Sequence, residues 1–436
     1  MKLLFIENRY KTFTFEAIAN NLAKEGHEVA FIVQNKDYTP KSNVTNFIIP
    51  YPKNISKKNY KPCKDVEQVI VSDRMQNFFR KKGTKYFYYY NLEIDKILGS
   101  YKPDFVFGES TAFHELLTIA NCKKRNILFL NPSSCRYPKN RFAFYKYDTL
   151  EPYKGSNEFL IEKEALEIVD SIANRKAKPD YMKVVKKAKM KTLKDKFLKV
   201  KSFVSGDTFN TPNPKVKYQL QKDNKANIEA WDLVSQDEIN PQNNFIVLYP
   251  LQMQPEANID VWGIKHRDQL KLIKQLTDQL SDNAKLVVKP NPKSKYELSK
   301  ELVSYITNNP KVITLKHSVK MDDILKDIDL VVTVTGTIAI ECILSNKPVI
   351  TLVKTLNNDQ VNCKYLDNLN ELPEIINEVK QNKFPSIDDS SKINYLNTLN
   401  STSYYGRVSD PFSFSQVFGE ENMSDILKAF NHIINN

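Results

Sequence analysis

The sequence predicts an α/β protein built from two doubly wound domains. Its 436 residues are too many for one ordinary hydrophobic core, so two domains are expected. Short apolar runs typical of buried strands alternate with helical patterns over residues 1–135 and again after Phe245. The polar stretch Ser235–Asn244 between the two alternations is the expected linker. The predicted domains are 1–240 and 241–415, with a final helix, 416–436, packing back on the first domain.

The first domain opens with a strand–helix–strand unit. Its predicted elements are a strand at Lys2–Ile6, a helix at Phe13–Lys24, strands at Val29–Val33 and Phe105–Phe107, a helix at Ser110–Ala120 and a strand at Asn126–Leu130. Residues 158–202 are helical in pattern and mostly charged, with Pro179 as a breaker, which indicates an inserted arm.

The second domain repeats the alternation after the linker. Its predicted strands are Phe245–Tyr249, Lys285–Val288, Val312–Leu315, Leu330–Val334 and Val349–Val353. Its predicted helices are Asp268–Leu280, Ser299–Thr307, Met321–Ile328 and Ile338–Leu344, and Ser424–Ile434 forms the final amphipathic helix of the chain. Such a series favours a parallel sheet with ligands at the carboxyl ends of its strands.

The net charge of +13 is concentrated in one segment. Between Arg175 and Lys201, twelve basic residues stand against Asp180 and Asp195, a local charge of +10. An anionic membrane surface or an anionic polymer suits this basic arm, and a solvated helix without a partner is the alternative. Nucleic acid is not expected, because the arm has little aromatic interleaving and no known nucleic-acid motif.

Cysteine and histidine usage indicates a reducing compartment without a structural metal. The five cysteines form no CxxC pair, and the five histidines show no HxH or HExxH spacing. The apolar run Met1–Ile6 is too short for a signal peptide, and no later run reaches transmembrane length. We therefore expect a cytoplasmic protein, soluble or peripheral at a membrane, with no metal site.

The turn Thr335-Gly336-Thr337, between a buried strand and a short helix, is the most specific feature. Gly336 is the sole glycine between Gly263 and Gly406, and a glycine there allows a ligand to approach the backbone closely. Backbone N–H groups and threonine hydroxyls at a helix start suit a phosphate. Glu341 follows one helical turn later and could face the same ligand. The alternative is a capped strand–helix turn with Glu341 solvated.

Two further loops should lie at the same edge of the second sheet. Leu248–Ala257 supplies Tyr249, Gln252 and Glu256, which could line the ligand or order the loop. Val288–Lys293 supplies Lys289 as a point charge and Asn291 as donor and acceptor, with Pro290 and Pro292 stiffening the loop. A plain proline-rich turn is the alternative for this second loop.

These segments resemble a known family. YPLQMQPEA followed by a helix, then VVKPNP, then VVTVTGTIAIECILSNKPVI is similar to the capsule polysaccharide biosynthesis glycosyltransferases of GT-B fold, which include Kdo (3-deoxy-manno-octulosonic acid) transferases. The resemblance covers residues 245–355, and more weakly Cys135–Phe142 and Ser403–Arg407. In that family the second loop is usually Lys-Glu-His-Pro, whereas Pro290 and Asn291 stand here in place of Glu and His. The loops also resemble, more distantly, those of nucleotide-sugar 2-epimerases.

The resemblance implies two Rossmann-like domains facing a cleft and sugar transfer from a nucleotide donor to a glycan or glycolipid acceptor. The donor would bind the second domain, through Lys289, Asn291, Pro292, Thr335, Gly336, Thr337 and Glu341. A CMP-linked ulosonic acid such as CMP-Kdo is the expected donor, and a UDP-sugar is second. Such sites typically stabilise the leaving phosphate with backbone amides and basic side chains in place of a metal, so no cofactor is expected.

The first domain should supply the acid–base chemistry. Glu109 follows a predicted strand and could deprotonate the acceptor hydroxyl, or it could cap the next helix beside Ser110. Glu7 and Arg9 occupy the equivalent end of the first strand and could contact the acceptor or the donor, with Glu7 as the second catalytic candidate. Arg136 and Arg141 could grip a carboxylate or phosphate, or form surface salt bridges. His114 is expected to be a packed helix residue.

Overall fold

The computed structural model describes residues 1–176 and 189–436, and it describes no side chains for residues 189–195. The predicted basic arm therefore lies partly outside the described residues. Contacts divide the chain into two units. Unit 1 comprises Met1–Phe159, Pro179–Val216 and Asn397–Asn436, and unit 2 comprises Leu160–Lys178 and Lys217–Leu396. No helix of the described residues is long and apolar enough to cross a membrane.

Strands and helices alternate along much of both units. The strands are β1 (Lys2–Ile6), β2 (Glu28–Val33), β3 (Thr45–Ile48), β4 (Phe105–Phe107), β5 (Leu128–Ser134), β6 (Arg141–Lys146), β7 (Phe245–Pro250), β8 (Ala284–Lys289), β9 (Val312–Thr314), β10 (Leu330–Thr333), β11 (Val349–Thr351), β12 (Cys363–Tyr365) and β13 (Tyr404–Tyr405). The α-helices are α1 (Lys11–Lys24), α2 (Lys64–Ser72), α3 (Arg74–Asn77), α4 (Lys85–Tyr101), α5 (Phe113–Arg125), α6 (Glu162–Ala173), α7 (Lys189–Val204), α8 (Pro214–Val234), α9 (Gln269–Asp278), α10 (Lys300–Asn308), α11 (Met321–Ile324), α12 (Ile338–Leu344), α13 (Leu372–Lys380), α14 (Asp389–Ser401) and α15 (Glu420–Asn435). The predicted fold class of two Rossmann-like α/β domains is confirmed.

The sheet of unit 1 has the strand order β13-β6-β5-β4-β1-β2-β3. Strands β1 to β5 pair in parallel, whereas β6 and β13 add antiparallel pairs at one edge. Phe5 of β1 stacks on Phe31 and Phe107, with ring centroids 5.4 and 5.2 Å apart. The ring of Phe430 in α15 lies 4.9 Å from that of Phe107, so the C-terminal helix closes this core.

The sheet of unit 2 is parallel, with the order β12-β11-β10-β7-β8-β9. Trp231 of α8 is buried in its core, and its indole N–H donates to the carbonyl of Leu315 at 2.9 Å. Helix α8 belongs to unit 2 from Lys217 onward, so the predicted domain boundary at residue 240 differs from the observed division. The reason is that α8 lacks a clear apolar stripe in the sequence, although its last turn carries this one large anchor.

Candidate functional site

The three predicted donor loops lie at one edge of the second sheet. Strands β10, β7 and β8 are neighbours and run in parallel, so their carboxyl ends emerge together. Hydrogen bonds join the loops directly. Gln252 Nε2 donates to Thr333 Oγ1 at 3.3 Å, and the backbone N–H of Leu251 donates to the carbonyl of Lys289 at 2.9 Å. The loop after β7 is thus hydrogen-bonded to the carboxyl ends of both β8 and β10.

Gln269 of α9 stabilises the first loop through hydrogen bonds. This residue is buried, and the sequence analysis did not predict its role. Gln269 Oε1 accepts the hydroxyl of Tyr249 at 3.0 Å and the backbone N–H of Gln252 at 2.8 Å. Its Nε2 donates to the carbonyl of Gln252 at 2.8 Å. Tyr249 is fully buried, so it supports the loop from the core and does not present its hydroxyl to a donor sugar. Glu256 is half-buried, and its backbone N–H donates to Asp260 Oδ2 at 3.0 Å.

Lys289 ends β8 with its ammonium almost completely buried. The residue is only 3% exposed, and its Nζ donates to the carbonyl of Pro290 at 3.2 Å. Burial lowers the pKa of Lys289 to about 8, against the opposing effect of the Asp232 charge. A buried cation with one neutral hydrogen-bond partner among the described residues is poorly satisfied, and a bound anion would stabilise its charged form.

Asn291 forms a tight turn after Lys289. Its Oδ1 accepts the backbone N–H of Lys293 at 2.9 Å, and its carbonyl accepts both the N–H and the hydroxyl of Ser294. The side-chain oxygen is therefore committed to the turn, which leaves the Nδ2 amide hydrogens for a ligand. Pro292 is exposed at the tip of this turn.

The Thr335-Gly336-Thr337 turn follows β10 and leads into α12. A Cβ at Gly336 would lie 2.6 Å from Thr333 Oγ1, so glycine is required by packing within the turn itself. Packing within the turn is thus a second reason for glycine at this position, beside the close approach of a ligand that the sequence predicts. Thr335 donates its hydroxyl to the carbonyl of Asn258 at 3.1 Å, whereas Thr337 makes no side-chain cap to α12. Thr337 occupies the N-cap position of α12, but the alternative of a turn capped by its side chain does not hold, because its hydroxyl does not satisfy the helix start.

Glu341 of α12 is paired with an arginine that the sequence pattern assigns to the basic arm. Arg175 Nη1 lies 2.5 Å from Glu341 Oε2, and its Nε donates to Asp322. Both side chains are largely buried, with exposed fractions of 16% for Arg175 and 10% for Glu341. The two residues are 166 positions apart, so no local pattern could have predicted the pair.

In unit 1, Glu7 and Glu109 occupy different environments at the ends of neighbouring strands. Glu7 is fully buried, and its carboxylate accepts the backbone N–H groups of Arg9 at 2.6 Å and Asn35 at 2.9 Å. Burial raises the pKa of Glu7 to about 7. The buried carboxylate therefore orders the loop after β1.

Glu109 keeps solvent access while being held by two side chains. Its side chain is 26% exposed, and Oε1 lies 2.5 Å from Lys11 Nζ. Asn8 Nδ2 donates to Oε2 at 3.0 Å. Lys11 is buried and also donates to the carbonyl of Pro132, so it fixes the carboxylate from the interior. This geometry suits an oriented proton acceptor with one face open.

Glu115, which the sequence reading missed, performs the capping role considered for Glu109. It is fully buried in the first turn of α5 and accepts the backbone N–H groups of Ala112 at 2.8 Å and Glu109 at 2.9 Å. Asn8 Nδ2 also donates to Glu115 Oε1 at 2.9 Å, so one amide bridges the two carboxylates. Burial, and then the charge of Glu109, raises the pKa of Glu115 above its usual value. The sequence signal that could have identified Glu115 is a glutamate three residues after the N-cap position of a helix.

Arg9 and His114 have structural partners. Arg9 adopts a φ of 43°, and its guanidinium donates to the carbonyl of Asn210 and, at 3.3 Å, to Thr211 Oγ1. His114 is fully buried and its Nε2–H donates to the carbonyl of Glu7 at 2.7 Å. Burial lowers the pKa of His114 to about 4, so the ring is neutral, as expected for a packed helix residue.

Arg141 is buried and stabilises the first sheet through hydrogen bonds. It does not lie at the surface, where it could bind an anion. It is 1% exposed, and its guanidinium donates to Ser403 Oγ at 2.8 Å, to Ser156 Oγ at 2.8 Å and to Glu158 Oε2 at 3.1 Å. The pairing of β6 with β13 brings Cys135–Phe142 beside Ser403–Arg407, so the two weakly matching segments are spatial neighbours. Arg136 is half-buried in the turn before β6.

The chain contains one tripeptide of Asp-x-Asp form, Asp327-Ile328-Asp329, a pattern that can hold a metal ion. It precedes β10, at the amino end of the strand and so opposite the edge where the donor loops meet. Asp329 Oδ2 accepts the backbone N–H of Ile246 at 2.7 Å. Within the described part of the chain, no three His, Cys, Asp or Glu residues are grouped as a metal site would require.

Comparison with known proteins agrees with the family that the loops resemble. Residues 146–357 match the family model described as capsule polysaccharide biosynthesis protein, which confirms the predicted resemblance. The matched stretch contains every residue expected on the donor side. No curated protein matches the sequence.

Solved structures that are similar over nearly the whole chain have low identity. A UDP-GlcNAc 2-epimerase of Methanocaldococcus jannaschii, in complex with UDP-GlcNAc and UDP, is 16% identical, with 92% of this chain and 99% of that chain covered and a TM-score of 0.28. MurG of Acinetobacter baumannii is 10% identical, with coverages of 92% and 96% and a TM-score of 0.28. TM-scores this low carry no argument about activity.

Proposed function

We propose that this chain, whose residues 146–357 match the capsule polysaccharide biosynthesis family, is a glycosyltransferase of bacterial surface polysaccharide assembly. The observation that carries the proposal is the shared edge of β10, β7 and β8, where the loops that contain Lys289, Asn291 and Thr337 emerge. The donor is a nucleotide sugar, with Kdo or a related ulosonic acid linked to CMP as the first candidate.

The donor phosphate binds near Lys289 and the Thr335–Thr337 turn. The buried ammonium of Lys289 has a lowered pKa, and a bound phosphate would stabilise its protonated form by charge pairing. The hydroxyl of Thr337, which does not cap α12, adds a neutral donor. As the bond from the sugar to phosphate breaks, these groups stabilise the negative charge that develops on the leaving nucleotide. No metal ion is required by this scheme.

The acceptor is activated in unit 1 by Glu109. Its carboxylate takes the proton of an acceptor hydroxyl while the oxygen attacks the anomeric carbon of the donor sugar. Lys11 and Asn8 fix the orientation of Glu109, and Glu115 supports it through the shared amide of Asn8. The acceptor is a glycan or glycolipid, and the basic arm at 175–201 attaches the protein reversibly to the anionic inner face of the cytoplasmic membrane.

A thermal-shift panel with CMP, CDP, UDP and GDP tests the donor assignment. At a hundredfold excess over Kd, a ligand adds about 2.7 kcal/mol to stability, or roughly 5–10 °C for a domain of this size. We expect the largest shift with CMP and its loss in Lys289→Met. Lys293→Met, at an exposed lysine of the same loop, is the matched control. A larger shift with UDP would indicate that the donor is a UDP-sugar. No shift with any nucleotide would favour a non-catalytic glycan-binding protein.

Product analysis separates transfer from epimerisation, the activity that the distant loop resemblance leaves as an alternative. Incubation of donor without acceptor should give slow hydrolysis at most, because transfer needs an acceptor hydroxyl. Conversion of the donor sugar to its 2-epimer under these conditions would replace the transferase assignment.

A further inference from the structure

Helix α7 exposes an apolar stripe to solvent. Phe197, Val200 and Val204 are 67%, 48% and 79% exposed. At about 100° per residue, spacings of three and four place the three side chains on one face of the helix. Scattered single apolar residues are normal on protein surfaces, but an aligned stripe on one helix face marks an interaction surface.

The opposite face of α7 anchors the helix to unit 1. Ser202 is buried and Phe203 is half-buried. On that face, Lys199 Nζ lies 5.9 Å from the ring centroid of Tyr10. Lys201, between that face and the stripe, lies 3.3 Å through its Nζ from Asp37 Oδ1, with its side chain still 52% exposed. The helix is thus attached by one face, which leaves the stripe directed outward.

Lysines border the stripe on both sides. On the helical wheel, Lys196 precedes the stripe by about 40° and Lys201 follows it by about the same angle. Both lysines are exposed, and they belong to the segment with a local charge of +10. An apolar face flanked by lysines complements a surface that is apolar inside and anionic at its rim, which describes the interface of an anionic phospholipid bilayer.

We propose that Phe197, Val200 and Val204 insert into the interfacial region of an anionic bilayer while Lys196 and Lys201 contact lipid headgroups. The inference rests on the membrane attachment proposed above and is independent of the sugar-transfer reaction. Apolar insertion changes the expected salt dependence of membrane binding. A purely electrostatic arm is released by salt, whereas an inserted apolar stripe keeps a salt-resistant part of the binding.

Flotation with phosphatidylglycerol-containing vesicles and with pure phosphatidylcholine vesicles, at low salt and at 1 M salt, tests the proposal. We expect the wild-type protein to bind the anionic vesicles strongly and to remain partly bound in 1 M salt. Phe197→Ser/Val204→Ser should bind at least about tenfold more weakly and lose the salt-resistant fraction, because apolar burial drives insertion. Phe418→Ser/Val361→Ser replaces the same residue types at exposed positions away from α7 and should behave like wild type.

Three outcomes would overturn the proposal. The first is complete release of the wild type by salt, and the second is unchanged binding of Phe197→Ser/Val204→Ser. The third is self-association in sedimentation velocity without lipid, abolished by the same substitutions and unaccompanied by vesicle binding, which would assign the stripe to a second copy of the chain. The nucleotide thermal shift of the double variant reports separately on folding and on the donor site, so failure of the membrane proposal leaves the enzymatic one intact.

Discussion

Replacement of Glu109 by glutamine tests whether this carboxylate accepts a proton in the reaction or has only a structural role. The substituted amide keeps the shape of the side chain and a hydrogen bond to Lys11, but it cannot accept a proton at neutral pH. Removal of a positioned general base lowers turnover by roughly 10²-fold or more. Nucleotide binding should stay near normal, since every residue assigned to the donor lies in unit 2.

The stability cost of Glu109→Gln should be small. In the ion pair with Lys11, the side chain of Glu109 is 26% exposed, and Lys11 keeps its hydrogen bond to the carbonyl of Pro132. Exchange of a charge-assisted hydrogen bond for a neutral one costs about 1 kcal/mol, which corresponds to roughly 2–4 °C in Tm. Loss of the negative charge beside buried Glu115 offsets part of this cost, because that charge contributes to the raised pKa of Glu115.

Turnover per folded molecule, Tm and nucleotide affinity are measured on the same preparations. Glu158→Gln is the matched control, since Glu158 also pairs with a buried basic side chain, Arg141, in the same unit. The control should keep full turnover. Glu115→Gln should chiefly lower Tm, because it disturbs the cap of α5. A stable Glu109→Gln protein with wild-type turnover would refute the assignment of Glu109 as the base.

The remaining predictions concern the donor site, metal dependence and pH. Thr337→Val should weaken nucleotide binding by about fivefold in titration calorimetry, equal to about 1 kcal/mol, with Tm unchanged, while Gly336→Val should lower Tm because its Cβ meets Thr333 Oγ1. Unchanged affinity in Thr337→Val would place the phosphate elsewhere. Activity should survive EDTA, and loss restored by magnesium or manganese would refute metal independence. The folded-state pKa of Glu7 is raised, so folding favours its protonated form. Its contribution to the free energy of unfolding is therefore fully present below pH 4.5 and falls by roughly 1.4 kcal/mol per pH unit up to about pH 7. Urea denaturation from pH 4.5 to 8 should show this slope in wild type relative to Glu7→Gln, and parallel profiles would contradict it.

The elements that the sequence predicts well are those whose burial is nearly complete. Strands β1, β4 and β10 are continuous apolar runs because both faces of a parallel sheet are covered, so their positions follow from composition alone. The convergence of the donor loops also follows, since carboxyl ends of parallel strands share an edge. Helix α8 and the edge strand β13 do not follow from local patterns, because their positions depend on contacts with distant parts of the chain.

Roles that depend on pairs of distant residues could not be read from local patterns. Arg141 has the sequence context of a surface cation, yet the return of the chain at Ser403 buries it. Glu341 has the spacing of a ligand contact, yet Arg175, just after α6, reaches it. Gly336 has the sequence context of a ligand-binding turn, although the neighbouring Thr333 already requires a glycine there. Local periodicity predicts which positions are constrained, and tertiary packing determines the cause of the constraint.

Burial divides the carboxylates of unit 1 into distinct roles. Glu7 and Glu115 are fully buried and accept backbone N–H groups, so ionising either against a raised pKa costs stability and gives no access to a substrate. Glu109 alone of the three combines an exposed edge with a fixed cation, Lys11, and the bridging amide of Asn8. The buried pair thus orders the strand ends around Glu109, the carboxylate to which the proposed reaction assigns the acceptor proton. Neighbouring acids of similar sequence context therefore differ in burial, and the proposed reaction depends on Glu109, the most exposed of the three.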